Sequence, residues 1–214
     1  MHRITIVLAL LVVSARPAVA QAPSATRGRL SLGPFAGLNY TKFGGNDGGD
    51  SDSRTDFAIG GQIDYDFVGG ALFRTGLIYS RRGAETSDAG TTVAIKLSYL
   101  EVPILVGYQF PTTSSVRPYF LGGLNAGFKT GCSFEGSNGS STASIACDDP
   151  NIGANMSSTD FALVGGAGLS LPIGLSSVRL DVRYAYGLTN VAKDADTKNR
   201  GFTFGLAYMI PMGR

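Results

Sequence analysis

Histidine is almost missing from this chain: its single histidine, His2, lies at the N-terminal end. If residues 1–20 are cleaved as a signal peptide, the mature chain has no histidine, and catalysis with histidine as general base is excluded. A zinc site built from cysteine and histidine is excluded too, because Cys132 and Cys147 are the only cysteines. A carboxylate pair or a Ser-Lys arrangement stays formally open, but no motif marks either. We therefore expect no enzyme, no metal site and no cofactor.

Charged residues are also scarce, at 16% of the chain against about a quarter in average proteins. Residues 1–20 hold Arg3 and Arg16 of the 18 basic residues and none of the 16 acidic ones. The remaining chain thus carries equal numbers of each sign, which gives no support to a nucleic-acid surface. We expect no nucleic-acid partner.

Long apolar runs are missing except near the start of the chain. Arg3 opens a short positive region, Ile4 to Val13 are apolar, and Ala18-Val19-Ala20 is an A-x-A cleavage signal. The run is too short to span a bilayer comfortably. We therefore interpret residues 1–20 as a cleaved signal peptide, 21–29 as a short periplasmic segment and 30–214 as one domain.

The two cysteines flank a Gly/Ser-rich segment of an exported protein, which favours a Cys132–Cys147 disulfide. Two free thiols or half of a metal site are the alternatives.

What the chain does contain is glycine, 30 residues of it, together with apolar residues at every second position. This alternation predicts eight β-strands separated by turn-rich segments. The predicted strands cover 30–43, 55–67, 71–82, 91–110, 116–129, 158–171, 178–188 and 200–210. Short links (68–70, 111–115, 172–177) alternate with long ones (44–54, 83–90, 131–157, 189–199), as in a barrel with short periplasmic turns and longer extracellular loops.

Alternation alone does not choose between a soluble barrel and a membrane barrel. Aromatic residues near the strand ends, such as Tyr40, Tyr108 and Tyr208, favour an interfacial girdle. The strand lengths suit a tilted span of a bilayer. We predict an all-β fold, an eight-stranded antiparallel up-and-down transmembrane β-barrel, with a soluble periplasmic lipocalin-like binding barrel as the alternative.

Several stretches together resemble a known family: YLEVPILVGY (99–108), RPYFLGGLNAGF (117–128), FALVGGAGLSL (161–171) and RYAYGLTNV (183–191). They are similar to the PorT-like outer-membrane β-barrel proteins. The resemblance covers roughly residues 29–210 and implies an eight-stranded barrel in the outer membrane of a Gram-negative cell. The family's name comes from a member tied to protein secretion and gliding, so an accessory role in secretion is one expectation.

Charges of both signs fall on the predicted inner face, in a space that eight strands leave only wide enough for side chains. The expected interior charge network is Asp64, Arg74, Glu101, Arg117, Arg179, Asp181 and Arg183. Paired charges are what a low-dielectric interior demands, so a plugged lumen is the favoured interpretation. A small solute channel is the alternative.

In the fourth strand the acid Glu101 and the proline Pro103 share the inner face. We expect Glu101 to pair with Arg74, Arg117, Arg179 or Arg183. Because proline cannot donate to a sheet ladder, we also expect a bulge or bend at Pro103.

The loops are the expected binding elements, because binding concentrates on loops held by a rigid scaffold. The acidic loop 44–54 lacks the pattern of an EF-hand and predicts a solvated loop. The longest loop, 131–157, is where an extracellular ligand or an envelope protein partner is expected. The other expected partner is outer-membrane lipid, around a monomer.

Overall fold

The computed structural model describes residues 28–46, 51–88, 91–138, 141–147, 149 and 156–213. Residues 1–27 lie outside this part, and with them the predicted signal peptide and most of the segment 21–29. In the described residues the chain forms nine strands: β1 (Arg29–Gly44), β2 (Asp52–Asp66), β3 (Ala71–Asp88), β4 (Thr91–Gln109), β5 (Arg117–Ser137), β6 (Thr142–Ala146), β7 (Thr159–Ile173), β8 (Ser176–Gly187) and β9 (Lys198–Met212).

Eight of these strands close into a ring of antiparallel neighbours. The sheet order is β4-β3-β2-β1-β9-β8-β7-β5, and the pairing of β4 with β5 closes it. The first and last strands meet along most of their length, from Leu30 opposite Met212 to Gly44 opposite Lys198. The predicted eight-stranded antiparallel up-and-down barrel is confirmed.

The alternation of side chains separates the two surfaces of the wall. In β8, Arg179, Asp181 and Arg183 are buried, whereas Leu180 and Val182 between them are more than 40% exposed. The other strands follow the same period of two, so the outer surface is a continuous band of exposed Leu, Ile, Val, Phe and Tyr. The barrel is therefore apolar outside and polar inside, as a membrane barrel requires.

Apolar side chains also fill part of the interior, in three clusters. One is centred on Leu105 and Tyr119, a second on Phe35 and Met209, and a third on Leu97 and Tyr99. The charged residues lie between and beside these clusters. Glycines leave room for the large rings, because a Cβ on Gly168 would lie 2.5 Å from Cζ of Tyr119.

The strands at one end extend further than the alternation predicts. The segment 83–90, expected as a long loop, belongs mostly to β3, and only residues 89–90 separate β3 from β4. Within 131–157, also expected as a loop, β5 continues to Ser137 and β6 returns beside it. The strict alternation of short and long links is therefore wrong, because the strands continue as paired β-structure beyond the bilayer.

Pro103 lies in β4 without a bulge. The register with β5 runs unbroken through Pro103 opposite Asn125, and the register with β3 is the same on both sides. The ladder between β4 and β3 lacks only the pairs at Val102 and Pro103. The N–H that Pro103 lacks therefore costs a local gap in the ladder and no shift of register. The irregularity of the β4–β5 pair lies instead at Ser98/Tyr99. The predicted bulge at Pro103 is therefore wrong.

Candidate functional site

Arg74 is the centre of a charge network in the half of the barrel nearer the chain termini. Its Nε donates to Asp64 Oδ1 at 2.9 Å, and its Nη2 donates to Oδ2 of the same carboxylate at 3.0 Å. Its Nη1 donates to Asp181 Oδ2 at 2.6 Å across the lumen. Arg74 and Asp64 face each other on β3 and β2 and are fully buried. Such bidentate, desolvated contacts hold a guanidinium rigidly.

Two further arginines complete this network from β8. Arg179 contacts Asp64 through Nη1 at 2.6 Å, and its Nη2 donates to Asp66 at 2.7 Å. Arg183 donates from Nε to Asp181 Oδ1 at 2.6 Å. Three arginines thus meet the three carboxylates of Asp64, Asp66 and Asp181, which balances the buried charge.

Tyr119 ties the network to the apolar interior. Its hydroxyl donates to Asp181 Oδ2 at 2.9 Å, and the guanidinium carbon of Arg74 lies 5.1 Å from the centre of its ring. A cation over an aromatic face adds attraction in a desolvated place. The ring therefore packs against the charged groups on one side of the network.

Glu101 belongs to a second network, nearer the extracellular end. Arg82 contacts Glu101 through Nε at 2.9 Å and donates from Nη2 at 3.1 Å, and Asn125 Nδ2 donates to Glu101 at 3.0 Å. Asp160 lies 4.0 Å from the same guanidinium and accepts from Asn199 at 2.9 Å. The network is buried, with 5% of Arg82 and 7% of Glu101 exposed.

Arg82 is the partner of Glu101 that the sequence reasoning missed. The expected partners were Arg74, Arg117, Arg179 and Arg183. Three of these, Arg74, Arg179 and Arg183, are paired with other carboxylates. The sequence contained a signal for this, because Arg82 lies eight residues after Arg74 in β3, an even number, so both side chains face the interior. Arg82 is also the last residue of the predicted strand 71–82, where the alternation assigns a residue to the inner or outer face least firmly.

Arg117 stands apart from both networks. It is the first residue of β5, half-buried at the end of the barrel near the termini, and its side chain has no ion pair or hydrogen bond with any residue in the described ranges. Of the seven predicted interior charges, the structure thus gathers Asp64, Arg74, Arg179, Asp181 and Arg183 into one network and Glu101 into the other. Asp66, Arg82 and Asp160 were not predicted.

Little free space remains between the two networks. A cavity of about 30 Å³ lies at mid-height, with Arg82, Glu101, Asn125 and Arg183 among its lining residues. That volume suits about one water molecule.

The extracellular extension carries the predicted disulfide. Cys132 in β5 and Cys147, directly after β6, are joined with their Cα atoms 5.4 Å apart. The disulfide is confirmed, and neither free thiols nor half of a metal site is present at these two positions. In the part of the chain that the structure covers, no group of three or more acidic, histidine or cysteine residues is placed to hold a metal ion.

The outer face of this extension is polar and paired. Lys96 in β4 donates to Glu135 in β5, and this hydrogen bond lowers the pKa of Glu135 from its ordinary value. In β2, Arg54 donates to the buried Asp56 at 2.7 Å. Of the acidic loop 44–54, Asp47 and Asp50 lie outside the described residues, and Asp52 begins β2.

Residues 19–193 match the family of the outer membrane protein beta-barrel domain. The chain belongs to this family. Its membership, together with the apolar outer band, indicates a place in the outer membrane and sets aside the soluble lipocalin-like alternative. No helix among the described residues is long and apolar enough to cross a bilayer.

Solved outer-membrane proteins are similar to this chain at low sequence identity. Neisserial surface protein A is 16% identical, with a TM-score of 0.50, over 85% of this chain and 97% of its own. Ail of Yersinia pestis, in complex with the heparin analogue sucrose octasulfate, is 14% identical over 86% and 99%, with a TM-score of 0.42. OprG of Pseudomonas aeruginosa is 14% identical over 86% and 93%, with a TM-score of 0.39. Among curated protein sequences none matches this chain.

Proposed function

We propose that this protein is an outer-membrane barrel with a closed lumen, which acts through its extracellular extension in binding or in the organisation of the envelope. The observation that carries this proposal is the pairing of the interior charges. Arg74 is held by Asp64 on the neighbouring strand at 2.9 and 3.0 Å and reaches across the lumen to Asp181 at 2.6 Å. At most 6% of any of these three residues is exposed. A solute would have to separate them.

Energetics support the same conclusion. Removing one partner of a buried pair costs about 3–5 kcal/mol because the other charge is left unpaired. Opening a path would disturb two such networks in series. The cavity of about 30 Å³ between them is far smaller than a sugar or an amino acid.

The extension offers more for recognition than the lumen. It projects beyond the barrel as paired strands and is held by the Cys132–Cys147 bond, so it is a rigid display element rather than a loose loop. We place the ligand or envelope partner of the protein there. An accessory role in secretion and a PorT-like identity, carried by the YLEVP and RYAYGL stretches, remain finer expectations. We also propose a non-enzymatic monomer, since the ring closes within one chain.

Swelling of liposomes tests the closed lumen against a small solute channel. Liposomes that contain the folded protein are shifted into iso-osmotic glycine or glucose, and light scattering is followed. We expect the swelling rate of protein-free liposomes. Folding is checked beforehand by the migration of unheated and heated samples on a gel. Faster swelling that grows with protein content would favour the channel.

A further inference from the structure

The strand β6 ends the sheet, and one of its edges has no partner strand in the part of the chain that the structure describes. Among the described residues, β6 pairs only with β5, and all five of its residues are exposed. The eight other strands have two neighbours each in the barrel wall. Within the described ranges, β6 is thus the strand with one edge unpaired along its whole length, and this edge belongs to the extracellular extension.

Two hydrogen bonds show which main-chain groups face this edge. Cys147 N donates to Cys132 O, and Asn138 N donates to Ser141 O, both at 3.2 Å. Residues of an antiparallel strand bond alternately to one neighbour and to the other. Ala143 and Ile145 therefore bond to β5, in phase with Ser141 and Cys147.

The residues in the other phase are Thr142, Ser144 and Ala146. The carbonyl of Ala146 accepts from Asp149 N at 3.1 Å and is already used. The N–H and C=O groups of Thr142 and Ser144 and the N–H of Ala146 are thus directed at the open edge. Among the described residues these groups have no main-chain partner.

Apart from its short length of five residues, the edge lacks the devices by which sheet proteins protect themselves. Natural edges are very short or carry charged residues, proline or a bulge. The sequence of β6, TASIA, has no charge and no proline, and its register with β5 has no shift. Ile145 is 49% exposed beside the half-buried Phe134, its register partner on β5. The edge is thus neutral and partly apolar.

The disulfide makes this edge a prepared site. It ties the end of β6 to β5, so the strand is held extended before any partner arrives. A preformed edge saves the entropy that a flexible loop would lose on binding.

We propose that the open edge of β6 binds an extended segment of another protein, which adds a strand to the sheet and places apolar side chains beside Ile145 and Phe134. Only an extended backbone offers donors and acceptors at the spacing of Thr142 and Ser144. This proposal names the partner class for the extracellular extension in the proposed function and depends on that function for its biological meaning.

Antiparallel pairing with a second copy in the same membrane does not fit this edge. Antiparallel pairing of two β6 strands needs a two-fold axis perpendicular to the sheet, which reverses the strand direction. Because the strands run across the membrane, that operation would invert one barrel.

Selection of displayed eight-residue peptides on the protein in nanodiscs tests the proposal. Ser144→Pro removes an N–H from the open edge without touching the bonds to β5, and Ser144→Ala keeps that N–H. We expect selected peptides to bind the wild type and Ser144→Ala alike. Binding to Ser144→Pro should weaken about tenfold. The variant loses the hydrogen bond of the Ser144 N–H, about 1 kcal/mol, and the proline ring also clashes with the bound peptide.

Two further measurements test the proposal even if Ser144→Pro disturbs the pairing of β5 with β6. Methylation of alternate backbone nitrogens of the peptide should abolish binding to the wild type. Amide exchange should be fast at Ser144 in the free protein and slow in the complex, with Ile145 slow in both. Equal binding to both variants, slow exchange at Ser144 without peptide, dimers that Ser144→Pro dissolves, or no selected peptide would each overturn the proposal. None of these outcomes bears on liposome swelling.

Discussion

The replacement Arg74→Met removes the charge at the centre of the lower network and keeps much of the side-chain volume. Arg74 is fully buried, makes three hydrogen bonds of 3.0 Å or less, and touches both Asp64 and Asp181. Breaking a buried pair costs about 3–5 kcal/mol. Because Arg179 and Arg183 still hold the two carboxylates, we expect the lower end, about 3 kcal/mol. That is roughly a hundredfold in the unfolding equilibrium.

Reversible unfolding in urea, in lipid vesicles and followed by tyrosine fluorescence, measures this loss. The matched control is Arg117→Met, the same chemical change at a half-buried residue without an ion pair in the described part of the barrel. We expect the control to change the free energy of unfolding by no more than about 0.5 kcal/mol. Equal losses for the two variants would refute the reasoning that the interior charges hold the barrel together.

Three smaller predictions follow. Gly168→Ala should cost about 1–3 kcal/mol in the same unfolding assay, since a Cβ there lies 2.3 Å from Leu180 O, whereas Gly165→Ala, with nothing within 4 Å, should be neutral. Reduction of the disulfide should leave the barrel folded but speed amide exchange in β6, because the crosslink joins residues 15 positions apart. Unchanged exchange would show that the disulfide does not stabilise β6. In an NMR titration the lowered pKa of Glu135 should return toward its ordinary value in Lys96→Met. Since the pKa is depressed, the hydrogen bond is complete above the ordinary pKa and is lost as pH falls through the folded value.

The wall of the barrel was predictable because each strand repeats one simple rule. Apolar residues at every second position of β8 identify both faces, and Arg179, Asp181 and Arg183 lie inside as expected. Asp64 and Arg74 were predictable for the same reason.

The wrong predictions concern properties that the alternation does not determine, namely how far along the barrel axis a side chain lies and where a strand ends. The alternation places Glu101 inside but does not show which arginine of another strand lies at the same level, and its partner Arg82 stands at the end of a predicted strand. Polar, Gly/Ser-rich segments likewise hid β6 and the upper part of β5, since strands beyond the bilayer need no apolar face. Pro103 was expected to distort β4, but the register on both sides is kept by the neighbouring strands.

Single-channel recording in a planar bilayer tests the closed lumen most directly. The folded protein is inserted from detergent at neutral pH in 1 M KCl, and an established open porin serves as the positive control in the same bilayer. If the two buried networks close the lumen as proposed, the current after insertion of many copies should stay at the level of the bare membrane. Discrete, reproducible steps that scale with the number of inserted copies would contradict the account.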